Sequence, residues 1–135
     1  MSYNLPSTDT TAWTPVITGV GSAGTGTYSV QAGFYTRIGN MVFLTATITW
    51  SAHTGTGNMT ITGLPFACRN QSGYNPLGVL NTISIILPAT TIAIVGSLAA
   101  NASTVTLQAI EDNAVNSAIQ MSSAGTIQLT LNYLT

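Results

Sequence analysis

Lysine is missing from this 135-residue chain, and Asp, Glu, Lys and Arg together make up 4% of it, against about 25% in an ordinary soluble domain. The formal charges are Arg37, Arg69, Asp9, Glu111 and Asp112, for a net charge of -1. Nucleic-acid binding draws most of its affinity from Lys and Arg on phosphate, so two arginines exclude DNA and RNA as partners. Cys68 has no second cysteine to pair with, which removes intramolecular disulfides and cysteine-based zinc sites and leaves a satisfied, partly buried thiol as the expectation.

Catalytic raw material is equally scarce. The lone histidine, His53, lies in Ser51-Ala-His-Thr-Gly-Thr-Gly57, a loop by composition, and reads as a turn residue rather than a general base. Glu111 and Asp112 are neighbours, so on a strand they point to opposite faces and on a turn both meet water. Neither arrangement sets two carboxylates across a cleft. Asp112, Asn113 and Asn116 offer oxygens without the spacing of a calcium loop. Gly19 to Gly26 lacks the Gly-Lys-Ser/Thr ending of a phosphate loop and reads as flexible turns. No catalytic residue, metal or cofactor is expected, and the chain is read as non-enzymatic.

Two targeting signals are also absent. Met1 to Pro15 shows no cationic start followed by an apolar core, so no secretory signal is expected and assembly is placed in a cytoplasm. Pro76 to Ala100 carries no charge, and about 20 apolar residues suffice to span a bilayer. Pro88, the polar interruptions Asn81, Ser84, Thr90 and Thr91, and the many β-branched residues suit strands instead, so no membrane partner is expected.

What is present is 45% hydrophobic residues, arranged as Thr, Ile and Val runs between Gly, Asn and Pro punctuation. That pattern predicts an all-β fold. The clearest strand is Met41 to Ser51, with Val42, Leu44, Ala46, Ile48 and Trp50 on a core face. Thr27 to Ile38 reads as its partner, with Gly33 as a candidate bulge and Gly39-Asn40 as a two-residue hairpin turn. Further strands are expected over Asn58 to Thr62, Gly78 to Leu87, Ile92 to Ala99, Thr104 to Ile110 and Thr126 to Leu134. Roughly eight strands with turns between them indicate a single β domain, a sandwich or jelly roll rather than βαβ units. The sandwich is assigned to residues 27–135. Residues 1–26, rich in Ser, Thr and Gly, read as an extended arm whose anchors Tyr3, Leu5 and Trp13 reach a shell or a neighbouring subunit.

Among the aromatics, Tyr28, Phe34, Tyr35 and Trp50 are candidate core or subunit-interface residues. Arg69, Tyr74 and Asn75, in a longer loop, are the candidate glycan contacts. Charge depletion and high apolar content favour self-association, and no lysine is available to blunt exposed sheet edges.

Trp13-Thr-Pro-Val-Ile-Thr-Gly19, Tyr28-Ser-Val-Gln-Ala-Gly-Phe-Tyr-Thr-Arg-Ile-Gly-Asn40 and Ile61-Thr-Gly-Leu-Pro-Phe66 resemble a β-domain family of bacteriophage virion proteins. That family includes the tips of trimeric tail fibres and tailspikes and small trimeric cement proteins of phage heads, cyanophage heads among them. The resemblance implies a jelly-roll-like β-sandwich assembled as a homotrimer on the outer surface of a virion and brings no catalytic residues. The chain begins at Met1 and has no fibrous shaft, so the first expectation is a capsid decoration protein that binds the major capsid protein and links capsomers. The alternative is a receptor-binding tip of a tail fibre or tailspike that recognises a host surface glycan.

Overall fold

The computed structural model describes residues 10–135. Ten strands are found among them: β1 (Thr11–Trp13), β2 (Val16–Gly19), β3 (Gly26–Ile38), β4 (Met41–His53), β5 (Met59–Thr62), β6 (Leu77–Ile83), β7 (Thr91–Leu98), β8 (Val105–Glu111), β9 (Ser117–Ala118) and β10 (Gly125–Leu134). The uncharged segment 76–100 forms β6 and β7, and no helix among the described residues is long and apolar enough to cross a membrane. The expected all-β class is found, with three short strands, β1, β2 and β9, added to those the alternation marks out.

Every pairing is antiparallel, and nine strands follow one path, β1-β3-β4-β10-β6-β7-β8-β5-β2, with β9 added beside β8. The two ends of this path are consecutive in the chain, separated only by Thr14 and Pro15. A sheet whose first and last strands are two residues apart must curl until its edges approach each other, and because β1 and β2 do not pair the result is an open half-barrel around one core. Thr11 to Gly19 is therefore a single extended stretch that changes partner from β3 to β5 at Pro15. Proline suits that point because it has no N–H to contribute to either ladder.

Residues 11–19 are thus woven into the sheet, with Ile17 fully buried, and belong to the β domain rather than to the extended arm expected over 1–26. Tyr3 and Leu5 lie outside the described residues. Trp13, the third arm anchor, is buried in its own domain, where its indole N–H donates to the Thr45 carbonyl at 3.2 Å. Gly33 seats that ring, since a Cβ there would lie 2.5 Å from the indole nitrogen. The β3 bulge falls at Tyr28 to Val30, and at Gly33 the register with Ala46 is regular. Gly33 is needed for close approach rather than for a bulge.

The alternation in β4 and β10 fixes the core. Val42, Leu44, Ala46, Ile48 and Trp50 point inward opposite Ile127, Leu129, Leu131 and Tyr133, and all are buried. A one-residue slip would turn both sets to solvent, so the register is strongly specified. Gly39 takes a left-handed φ of 59° at the first position of the β3-β4 turn, which a type II′ hairpin requires. The stretch between β8 and β9 is a turn.

Candidate functional site

Strand directions give the molecule two ends. At the hairpin end lie the β3-β4 turn, the 63–76 loop, the β7-β8 turn and the end of β10. The opposite end collects the loops after β2, β4, β6, β8 and β9.

Phe66 organises the hairpin end. The Tyr35 ring meets it edge-on at 5.4 Å and 88°, and the Arg37 guanidinium sits 4.7 Å from its centroid. The buried Tyr133 phenol donates to the Phe66 carbonyl at 2.8 Å, and burial pushes its pKa up to about 12. The Tyr74 phenol accepts the Leu134 N–H at 2.9 Å, and Arg69 N–H donates to the Leu134 carbonyl at 2.8 Å. Cys68 is buried between loop and core, its N–H bonded to the Ala102 carbonyl, and burial raises its thiol above the ordinary value. This set is a clasp that ties the 63–76 loop to the C-terminal strand. Of the three candidate glycan residues, Asn75 is exposed, Arg69 and Tyr74 are half-buried, and the hydroxyl of Tyr74 is engaged internally.

At the other end, the loops 20–25 and 54–58 lie backbone against backbone. Thr56 N–H donates to the Ser22 carbonyl at 3.1 Å, and Gly21 N–H donates to the Thr56 carbonyl at 2.9 Å. His53 fastens them. Gly55 N–H donates to Nδ1 at 2.9 Å, leaving Nε2–H to donate to the Ile17 carbonyl at 2.9 Å. Tyr28 accepts the Ile17 N–H at 3.1 Å, and the Gln31 amide donates to the Pro15 carbonyl at 2.8 Å. The outer edge of β2 is therefore satisfied by side chains where a further strand would otherwise pair.

This geometry offers little acid–base chemistry. His53 has both ring nitrogens occupied and stands at the opposite end of the sheet from Cys68, so the two form no dyad. Glu111 accepts hydrogen bonds from Ser117 and from Thr90, which hold its carboxyl below the usual range. Among the described residues, no group of three His, Cys, Asp or Glu side chains could hold a metal ion. A hollow of about 270 Å³ near this end is lined by Ile86, Pro88, Met121 and Ser122 among others, none ionisable.

The four aromatic candidates divide. Trp50 is core, its indole N–H donating to the Ser122 carbonyl at 3.0 Å, and Tyr28 and Tyr35 are half-buried on the inward side of β3. Phe34 pairs with Thr45 on the outward side and is half exposed. Sequence reasoning missed the bracing roles of Phe66, Tyr133 and His53. Only Tyr133 carried a signal, as the last inward residue of the β10 alternation.

No protein-family description matches the chain, and no curated protein does. Among solved structures it is similar to part of the Dettilon tailspike protein, with a TM-score of 0.72 and 21% identity over 93% of this chain and 23% of that one. The chain thus spans about a quarter of that protein's length and shares the fold of one of its segments.

Proposed function

We propose that this chain is a non-enzymatic structural domain of a bacteriophage particle that works as a homotrimer on the virion surface. The observation that carries this reading is the tailspike-like fold, joined to a surface almost without charge and side chains committed to bracing rather than chemistry. On a phage head the trimer would act as cement, binding the major capsid protein and linking capsomers through buried contacts. The internal engagement of Tyr74 favours this mechanical role over glycan capture by the 69–75 loop. Tyr3 and Leu5 remain the arm residues proposed to reach the shell, whereas Trp13 serves its own domain.

The second reading, a tip domain at the end of a tail fibre or tailspike, is favoured by the nature of the structural neighbour. Its partner would be a host surface glycan, with weak sites strengthened by trimeric avidity. Co-sedimentation separates the two. Saturable pelleting with undecorated heads, lost on deletion of residues 1–9, is expected for cement. Pelleting with host cells alone would move the protein to the tail, and pelleting with neither would overturn both placements.

A further inference from the structure

Eleven large hydrophobic side chains are exposed among the described residues, and their distribution is uneven. Seven of them, Val30, Phe34, Ile38, Phe43, Leu77, Val79 and Ile83, lie on β3, β4 and β6, which with β10 form the adjacent run β3-β4-β10-β6. Register places them on one face. Phe34 pairs with Thr45, Thr45 with Thr130 and Thr130 with Val79, and directly paired residues project to the same side of a sheet. Because Val42, Leu44 and their neighbours fill the inward side, this is the outer face of the curl, and it is convex.

The face has a pattern. One flank, on β3 and β4, carries Val30, Phe34, Ile38 and Phe43. The other, on β6, carries Leu77, Val79 and Ile83, with Val79 at 75% exposure. Between them β10 presents Thr126, Gln128, Thr130 and Asn132, opposite Thr49, Thr47, Thr45 and Phe43 of β4. No charged residue faces outward here. Arg37 pairs with Val42 and so lies on the inward side.

We propose that this face is the contact between copies of the chain, with the β3-β4 flank of one subunit seated on the β6 flank of the next. The proposal rests on the trimer reading above and names its surface. Two arguments select a second copy as the occupant. A face without charge meets copies of itself with no like-charge repulsion, while it has no charges to steer or orient a charged partner. Two unlike apolar flanks on either side of a convex ridge suit a head-to-tail ring, which closes when the rotation is right. In that ring the β10 ridge of hydroxyls and amides points to the threefold axis. The size is set by the ring: four strands about 4.8 Å apart and ten residues at about 3.3 Å each cover roughly 600 Å² in projection, divided between contacts with the two neighbours. Each contact alone falls short of the roughly 800 Å² per partner of a stable interface, so the trimer is held by closure of all three contacts together.

The test is solution mass by light scattering, with far-UV circular dichroism to verify folding. Wild type is expected at three times the 13.9 kDa of the chain. Phe34→Lys and Val79→Lys, one on each flank, are each expected to lower the mass to one third while keeping the β spectrum. Val115→Lys, at a position 90% exposed in a loop off this face, should stay trimeric. If a lysine variant loses its fold, Phe34→Thr and Val79→Thr keep strand propensity and should still weaken the trimer at low micromolar concentration. Trimeric flank variants beside a trimeric wild type would overturn the face and leave the trimer standing. A monomeric wild type would overturn both, and a dimeric one would overturn the head-to-tail ring.

Discussion

The two ends of the half-barrel are closed by opposite means. At the hairpin end, rings, a phenol and a guanidinium fill the space between loop and strand: Tyr35 and Arg37 against Phe66, with Tyr133 and Tyr74 tying in the backbone. At the other end the space is closed by leaving side chains out, so that the 20–25 and 54–58 backbones touch and His53 pins them to β2. Side-chain closure can relax when one member is trimmed, because neighbours move in part to fill the gap. Backbone closure cannot, since an added atom meets peptide groups already held by their own hydrogen bonds. The two ends should therefore differ in what breaks them.

The largest effect is expected at Gly24. Its φ is 70°, and a Cβ there would lie 2.0 Å from the Gly55 nitrogen, so Gly24→Ala adds a backbone collision to the left-handed strain. We expect a loss of about 3 kcal/mol or more in urea denaturation. Gly39→Ala is the matched control: φ is 59°, but nothing lies within 4 Å of the new Cβ. It should cost only about 1 kcal/mol. Equal losses would mean that the loop contact adds nothing beyond backbone strain.

Next comes Tyr133→Phe at the aromatic end. Removing the hydroxyl leaves the Phe66 carbonyl without this donor, and the expected cost is about 1 to 2 kcal/mol. A pH signature identifies the phenol. Its folded pKa of about 12 lies above the ordinary 10.0, so the neutral form is favoured by folding. That stability is fully present below pH 10 and is lost as pH rises toward 12. Wild type should show this alkaline decline, and Tyr133→Phe should show less of it at matched temperature.

His53→Ala tests the pin at the other end. It removes a donor to the Ile17 carbonyl and an acceptor for the Gly55 N–H, for an expected loss of about 1 to 2 kcal/mol in the same denaturation. The loop amides at Gly21 and Thr56 should then exchange hydrogen faster, while amides of β10 stay protected. Uniform acceleration across the sheet would show that His53 braces the whole fold rather than one end.

The contrast between the ends also explains what the sequence revealed. The long strands were legible because burial on one face only imposes a period of two, as in Val42 to Trp50 and Ile127 to Tyr133. The β3-β4 hairpin was legible because Gly39 supplies a left-handed residue at the required place. β1 and β2 were hidden because each is only three or four residues long and a proline separates them, so neither shows sustained alternation. The run from Gly19 to Gly26 read as flexible turns, yet those glycines mark close packing between two loops. Glycine signals both freedom and contact, and only the partner loop distinguishes them. The clasp around Phe66 joins residues far apart in sequence, so no local pattern announces it. The outward flanks were concealed differently: β6 is apolar on both faces, which does not say which side is covered by the chain itself.

The smallest expected effect is at Glu111, where the β8 strand runs into the turn at the glycine-rich end. Ser117 first, and then Thr90, donate to its carboxylate and hold its pKa below the ordinary carboxylate range. The folded state thus favours the ionised form. Its contribution is present above the unfolded pKa and disappears as pH falls through the lowered folded value, below 4.5. The group is half-buried at the surface, within reach of solvent, so the effect should be local: amide exchange at Ser117 and Ala118 should quicken on acidification, with little change in global stability. Glu111→Gln keeps an acceptor oxygen but cannot ionise, and it should flatten that acid response. The buried clasp at the hairpin end contains no Asp or Glu side chain, so its amides should stay protected while the β9 turn loosens. Simultaneous loosening of both ends would mean that they are a single cooperative unit despite their different closures.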